Sequence, residues 1–286
     1  PSPVVGSGMK ILVLYAIKPG TEKWRTWDDG FVAAMGRVSA RGHSVSFFNV
    51  QDSGGGNGMR AAVLDCDVVI VKSNWDWIVD SAYRRHVSGL RPSVLVISGI
   101  SQKVSFRKAA EYEVLVYQTD WYRPRLPRQA VCVHAYGIND DVMFAPDEPQ
   151  EKTIDWLFVG KIDDRRGVVE LMRLDGRRVA VGDPEGASPA LLGQLERAHV
   201  EVRGYVSQPE LRVLYWQARQ TFIPASLAWG GERQVMESLR CGTPVRLSPE
   251  NPKLAEVAAQ ASTWTTRYFA DQLERAATLA LLGCDH

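Results

Sequence analysis

Two adjacent glycines open the most informative stretch of the chain, Gly230 to Val245, which reads GGERQVMESLRCGTPV. Glycine tolerates positive φ and lets backbone approach a ligand closely. The helix predicted to start behind the pair presents unpaired amides and the positive end of its dipole, features that attract phosphate. Glu237 then falls between Met236 and Leu239, where a carboxylate is costly unless it accepts hydrogen bonds. A ribose diol would supply them. The helix is predicted to stop at Cys241 and Gly242, with glycine as C-cap, and a strand to restart at Thr243 to Val245. An ordinary helix-to-strand connection, with Glu237 salt-bridged to a neighbour, accounts for the same residues, and both readings stand at this point.

Other chemistry-bearing groups are weaker. Gly54 to Gly58 (GGGNG) lacks the Lys-Ser/Thr of a P-loop and reads as a flexible connection. Cys132 and His134 alternate on a predicted strand and share a face, but two ligands do not make a zinc site, and a satisfied interior pair is expected. No GxSxG elbow supports a hydrolase, and His43, His86 and His199 lie in surface-like contexts. Trp121 to Arg128 (WYRPRLPR) interleaves aromatics with Arg123, Arg125 and Arg128. Such a surface could grip phosphates or sugar rings, or be a solvated loop whose arginines lie over the aromatics.

The elements that must position these residues follow a βα rhythm: short apolar runs rich in β-branched residues alternate with stretches of helical periodicity, as around a parallel sheet. Strands are predicted at 10–15, 44–48, 67–71, 93–97, 114–117 and 131–134, with helices at 30–41, 81–90 and 106–111. A polar, proline-bearing stretch from Ala145 to Lys152 (APDEPQEK) has the character of a linker. Beyond it strands are predicted at 155–159, 178–181, 200–203, 221–223 and 244–247, and helices at 189–198, 209–218, 232–240, 252–261 and 269–282. The expected fold class is α/β, with one doubly wound unit over 9–146 and another over 147–286, whose last helix is free to pack back on the first. Ligands of such sheets sit beyond the carboxyl ends of the strands.

With 286 residues, 45% hydrophobic and 23% charged, the chain has an ordinary globular balance, which excludes disordered and collagenous classes. The net charge of +1 gives no overall attraction to polyanions. Residues 1–145 nevertheless hold 17 basic against 13 acidic side chains, and the remainder 17 against 20. Four cysteines without CxxC spacing argue against a disulfide framework or structural zinc. No apolar run approaches the roughly 18 residues of a membrane span. A cytoplasmic protein, a monomer or weak dimer, is expected. Pro1 to Gly8 (PSPVVGSG) reads as a remnant ahead of a natural start at Met9.

Three ordered segments carry a family resemblance. The run Met236 to Val245 (MESLRCGTPV) is similar to "LEAMACGTPV". Tyr136 to Asn139 (YGIN) followed by Phe144-Ala145-Pro146 is similar to "NGVD…F.P", and Trp156 to Lys161 (WLFVGK) with Arg166-Gly167 to "VGRL…KG". The chain thereby resembles the nucleotide-sugar-dependent glycosyltransferases of the GT-B fold, in particular the large retaining family numbered four.

The resemblance implies two Rossmann-like domains facing across a cleft, an acceptor side in 9–146 and a donor side in 147–286. It implies transfer of a sugar from a UDP- or GDP-type donor to an acceptor hydroxyl, with retention. Glu237 would bind the ribose hydroxyls. Lys161 and Arg166 would neutralise the diphosphate, and Gly230 and Gly231, with the following Glu232 and Arg233, would hold the distal phosphate or the sugar. No cofactor or metal is expected beyond the donor as co-substrate, because the two cations supply the countercharge and Asp163-Asp164 is not a DxD pair. One departure stands out. Eight residues before Glu237, where the family has a sugar-binding glutamate, this chain has Trp229, and Glu232 lies only five before.

In the first unit, Gly20, Trp24 and Trp27 follow the first strand and could meet a phosphate or stack on a ring; an ordinary loop capped by Asp28 or Asp29 is the bland alternative. Asn74, Trp75 and Asp76 follow the third strand and could read an acceptor with Arg123 and Arg125, Asp76 serving as general base if one is needed. The acceptor is not written in these motifs; a hydroxymethylated base in DNA is one expectation. A non-catalytic two-domain protein that binds nucleotide or sugar is the alternative to an enzyme.

Overall fold

The computed structural model describes residues 8–17, 30–52, 55–73, 78–97, 106–184, 187–227 and 230–283. Its contacts divide the chain into two compact units, one running to Gly137 and resuming at Thr265, the other spanning Ile138–Trp264.

The first unit contains β1 (Lys10–Tyr15), α1 (Gly30–Ala40), β2 (Ser44–Asn49), α2 (Gly55–Leu64), β3 (Val68–Lys72), α3 (Ile78–His86), β4 (Ser93–Val96), β5 (Val114–Tyr117) and β6 (Val131–His134). Short 3-10 turns at Phe106–Glu111 and Arg123–Arg125 link the later strands. The strands form one sheet in the order β2-β1-β3-β4-β5-β6, every pair parallel. Alternation along the strands then sorts the core. Ile11, Val13, Val68 and Ile70 face one layer, while Leu12, Leu14, Val69 and Val71 face the other. Burial on both faces is why these strands read as continuous apolar runs.

Where a flexible connection was expected from Gly54 to Gly58, α2 begins at Gly55. Met59 and Val63, four apart and buried on the sheet, anchor it against the poor helix propensity of glycine. The helix expected at Phe106–Glu111 is the tighter 3-10 form.

The second unit contains β7 (Ile154–Val159), β8 (Arg178–Val181), α4 (Pro189–Arg197), β9 (Val200–Arg203), α5 (Gln208–Gln217), β10 (Ala218–Ile223), α6 (Glu232–Arg240), β11 (Val245–Leu247) and α7 (Pro252–Ala259). Its parallel sheet has the order β11-β10-β7-β8-β9. The division between units precedes the polar stretch at Ala145 because Ile138–Ala145 is tied to the second unit. Arg212 donates to Val142 O at 3.0 Å, Trp216 Nε1 to Phe144 O at 2.7 Å, and Arg240 pairs with Asp140 at 3.1 Å.

The chain ends in α8 (Thr266–Gly283), part of the first unit. Phe269, Ala270, Leu273, Ala276, Ala277 and Ala280 form one buried stripe at helical spacing, packed with Phe31, Met35 and Val38 of α1 over the sheet. Gly137 makes room for it, since a Cβ there would lie 2.7 Å from Phe269 Cβ. Among the described residues, no helix is long and apolar enough to cross a membrane.

Candidate functional site

In the second sheet the chain runs outward from β7 through β8 to β9, then returns to place β10 on the other flank of β7. The carboxyl ends of β7 and β10 are therefore the topological switch point of this unit, where two consecutive loops diverge and leave a crevice. The β7 end is shaped by close backbone contact. Gly160 and Gly182 have φ of 144° and 149°, and a Cβ on Gly182 would lie 1.8 Å from Gly160 O. Lys161 follows Gly160 as an exposed side chain, with no ion pair among the described residues.

The chain next turns through a 3-10 segment, Asp164–Arg166, capped by Asp163. Asp163 accepts from Arg165 N at 2.8 Å and from the Arg165 guanidinium at 2.5 Å. Those hydrogen bonds hold its carboxyl below the usual range. Arg165 thus neutralises Asp163 and leaves Arg166 for something else. Gly167, at φ 76°, sits against Pro224 of the β10 loop, with room for a Cβ only at 3.0 Å from Pro224 Cβ.

Arg166 is half-buried, and burial pulls its guanidinium pKa down while the charges of Glu232 and Asp163 pull it up. Among the described residues its guanidinium makes no hydrogen bond or ion pair. A guanidinium carries five donors and stays charged. One point beside Gly230 defines its surroundings: the place a Gly230 Cβ would occupy is 3.3 Å from Arg166 Nη1 and 3.3 Å from Glu232 Oε2.

The β10 loop delivers this geometry through two glycines at positive φ, Gly230 at 79° and Gly231 at 109°. At Gly231 a side chain would meet Ile223 Cγ2 at 2.9 Å and Leu254 at 3.0 Å. Gly231 N-caps α6 without any side-chain hydrogen bond to the helix, so the first-turn amides remain available to an anion. Asn251 fastens the loop from below, its Nδ2 donating to Ala225 O, Ser226 O and Gly230 O at 3.1, 3.2 and 3.3 Å. Beneath the helix start, Lys253 Nζ pairs with Glu232 Oε1 at 2.8 Å, both side chains buried. Gln234, in the first turn of α6, brings its amide within 3.9 Å of the Gly160 Cβ position. Both strand ends thereby converge on the same crevice.

One turn further along α6, Glu237 is 3% exposed and accepts on both oxygens. Arg233 Nε donates to its Oε1 at 2.6 Å, an i,i+4 pair, and Tyr215 OH donates to Oε2 at 3.2 Å. Burial, with the Glu237 charge, raises the Tyr215 pKa well above its ordinary value. The buried carboxylate is therefore solvated by protein donors, and its remaining lone pairs can accept from a ligand hydroxyl.

The structure thus brings together Arg166, Gly230, Gly231 and Glu232, with Lys161 at the end of the adjoining strand and Arg233 and Glu237 on the same helix. Arg123 and Arg125 lie in the first unit. The Arg125 guanidinium stacks 3.5 Å over Trp121 and donates to Trp121 O at 2.6 Å, while Arg123 Nη1 donates to Cys132 Sγ at 3.2 Å. Gly20, Trp24, Trp27, Asn74, Trp75 and Asp76, with Trp229, lie outside the described residues. Lys253, Asn251 and Tyr215 were not anticipated. Lys253 left one trace in the sequence, a cation in the first turn of a helix announced by Asn251-Pro252, where its charge opposes the dipole. Tyr215 left none, because its link to Glu237 is purely tertiary.

No protein-family model matches the sequence, and no match is found among curated proteins. Solved structures are similar over nearly the whole length. AviGT4, a glycosyltransferase involved in avilamycin A biosynthesis, matches with a TM-score of 0.69 at 15% identity, covering 96% of this chain and 98% of that one. Anabaena HepE in complex with UDP matches with a TM-score of 0.57 at 13% identity over 97% and 98%. An α-glucosyltransferase in complex with UDP-glucose and DNA containing an abasic site matches with a TM-score of 0.58 at 10% identity over 97% and 96%. The chain has the fold of the GT-B glycosyltransferases.

Proposed function

We propose that the protein is a glycosyltransferase that moves a sugar from a nucleoside diphosphate sugar to an acceptor hydroxyl, with retention and without a metal. The observation that carries this reading is the Arg166 guanidinium, half-buried and lacking a hydrogen bond among the described residues, beside the uncapped start of α6. Breaking a glycosidic bond to phosphate develops negative charge on the departing diphosphate. Preorganised donors aimed at that charge lower the barrier more than they tighten donor binding. Arg166 and the amides of α6 would meet the diphosphate, with Lys161 adding charge from the rim. Glu237, oriented by Arg233 and Tyr215, would accept from the ribose hydroxyls. Glu232 would face the transferred sugar.

The fold supports the reading, as do the UDP and UDP-glucose complexes among its structural neighbours. The test is release of nucleoside diphosphate from a panel of UDP- and GDP-sugars in EDTA, with and without candidate acceptors, hydroxymethylated DNA among them. Arg166→Ala should lower kcat by about 10²–10³ with a smaller change in KM, and Glu237→Ala should chiefly weaken nucleotide binding. Tight nucleotide binding without turnover on any donor would instead identify a binding protein, and equal, purely destabilising losses in both variants would remove the assignment.

A further inference from the structure

The first unit holds a cavity that the transferase reading does not use. It has a volume of about 390 Å³ and lies between the end of β2, the start of α2 and one face of α3. Phe48, Val50, Met59, Ile78 and Ala82 give it an apolar floor. Ile78, Ser81, Ala82, Arg85 and His86 recur at the spacing of a single helical face. The opposite face of α3, with Val79, Asp80 and Tyr83, is committed to the core. α3 therefore has a second, partly apolar face, only partly covered by α2 and the end of β2.

Apart from the Ser81 hydroxyl, the polar side chains at this cavity are basic. Among the described residues no acidic side chain lines it, and Arg85 and His86 are exposed and make no hydrogen bond or ion pair there. Gly56 contributes backbone from the first turn of α2, where amides lack intrahelical acceptors and the dipole is positive. A Cβ at position 56 would lie 2.6 Å from His86 Nδ1, so only glycine lets the imidazole settle against this helix start. A guanidinium, an imidazole and a helix N-terminus thus converge on the mouth of a hydrocarbon-floored hollow.

We infer that this cavity binds a small anion with an apolar body, a phosphate or carboxylate carried on an aryl or acyl group. The headgroup meets Arg85, His86 and the α2 amides, and the body covers Phe48, Met59 and Ile78. Charge complementarity selects the anion, and the floor selects the hydrocarbon. Neither part suffices alone, because a free anion leaves the floor wet and a neutral arene makes no charge-assisted hydrogen bond with Arg85. The inference does not depend on the transferase reading.

The test is isothermal titration calorimetry of the full chain with 1-naphthyl phosphate, 2-naphthol and inorganic phosphate. Naphthyl phosphate should bind at least tenfold more tightly than either fragment. Arg85→Gln should weaken it about tenfold or more, the effect of losing one charge-assisted hydrogen bond. Ala82→Trp, which fills the hollow, should abolish it, with an unchanged circular-dichroism spectrum as the control for folding. Arg166→Ala should leave it intact. Equal affinity for naphthyl phosphate and inorganic phosphate, indifference to Arg85→Gln, or loss in Arg166→Ala would overturn the inference, the last by placing the probe in the second unit.

Discussion

The Lys253–Glu232 pair offers the sharpest test of how the second unit builds its site. Nζ and Oε1 are 2.8 Å apart and the side chains are 2% and 6% exposed, so water screens neither. At an effective dielectric of 20 their attraction is about 6 kcal/mol, and desolvating two ions costs several kcal/mol each, which leaves the intact pair close to neutral for stability. Removing one partner is a different matter, because the other buried charge then loses its countercharge, at about 3–5 kcal/mol. The surroundings make the two removals unequal. Lys253→Met leaves Glu232 with the field of Arg166 and the positive end of α6, both favourable to a carboxylate. Glu232→Gln leaves Lys253, Arg166 and that same helix end all positive.

Lys253→Met should therefore cost toward the lower end of that range and Glu232→Gln toward the upper end. The double variant should be less unstable than the sum of the singles by about 2–3 kcal/mol. Urea unfolding of the four proteins at pH 7, followed by tryptophan fluorescence, measures the cycle. Additive losses would refute the pairing, and a larger loss for Lys253→Met than for Glu232→Gln would refute the role given to Arg166.

Three further outcomes follow from the first unit and the β7 end. Asp80 is buried, accepts from Tyr112 OH at 3.2 Å and has an unpartnered Oδ2; burial raises its pKa from 3.8 to about 6. The folded state thus holds this proton more tightly, so stability from Asp80 is fully present below pH 4 and lost as pH rises through 6, by roughly 3 kcal/mol; Asp80→Asn should flatten that slope in pH-dependent melts. Glu274 clasps α8 to the start of β2, accepting from Arg41 and from His43 Nε2 at 2.9 Å. Burial would raise its pKa, but those two partners lower it overall. Its contribution is accordingly present at neutral pH and lost as pH falls below the ordinary carboxylate range, and Glu274→Ala should cost about 1–2 kcal/mol at pH 7 and much less in acid. Gly182→Ala must displace backbone, since its Cβ would fall 1.8 Å from Gly160 O; a loss above about 3 kcal/mol is expected, and a stable variant with an unchanged melt would contradict the geometry.

Legibility in the sequence followed how local each cause is. VVIV in β3 and VLV in β4 and β5 are buried on both faces, so their composition alone marks strands of a covered parallel sheet. The stripe of α8 was equally plain, and its packing on the first unit was one of two placements left open, because Ala276, Ala277 and Ala280 say only that some surface comes close. α2 was hidden by its glycines, whose meaning is tertiary: Gly56 accommodates His86 of a neighbouring helix. The same division runs through the candidate site. Gly230 and Gly231 announced positive φ and a helix start, a local demand that few other residues meet.

Which cation would serve that helix start was settled by something no spacing reveals. Asp163 is taken by Arg165, its neighbour two positions on, and Glu237 is taken by Arg233 and Tyr215. Glu232 is taken by Lys253 from another helix. Each carboxylate is thereby supplied without Arg166. A half-buried guanidinium whose acidic neighbours, Asp163 and Glu232, already have partners gains most when an anion enters. The selectivity of the site then resides in those three pairings as much as in Arg166 itself. Releasing Asp163, as Arg165→Ala would, should let it compete for Arg166 and weaken UDP binding without touching a group that contacts the nucleotide. Unchanged UDP affinity in Arg165→Ala, measured by calorimetry, would show that Arg166 is held for the anion by something other than the satisfaction of its acidic neighbours.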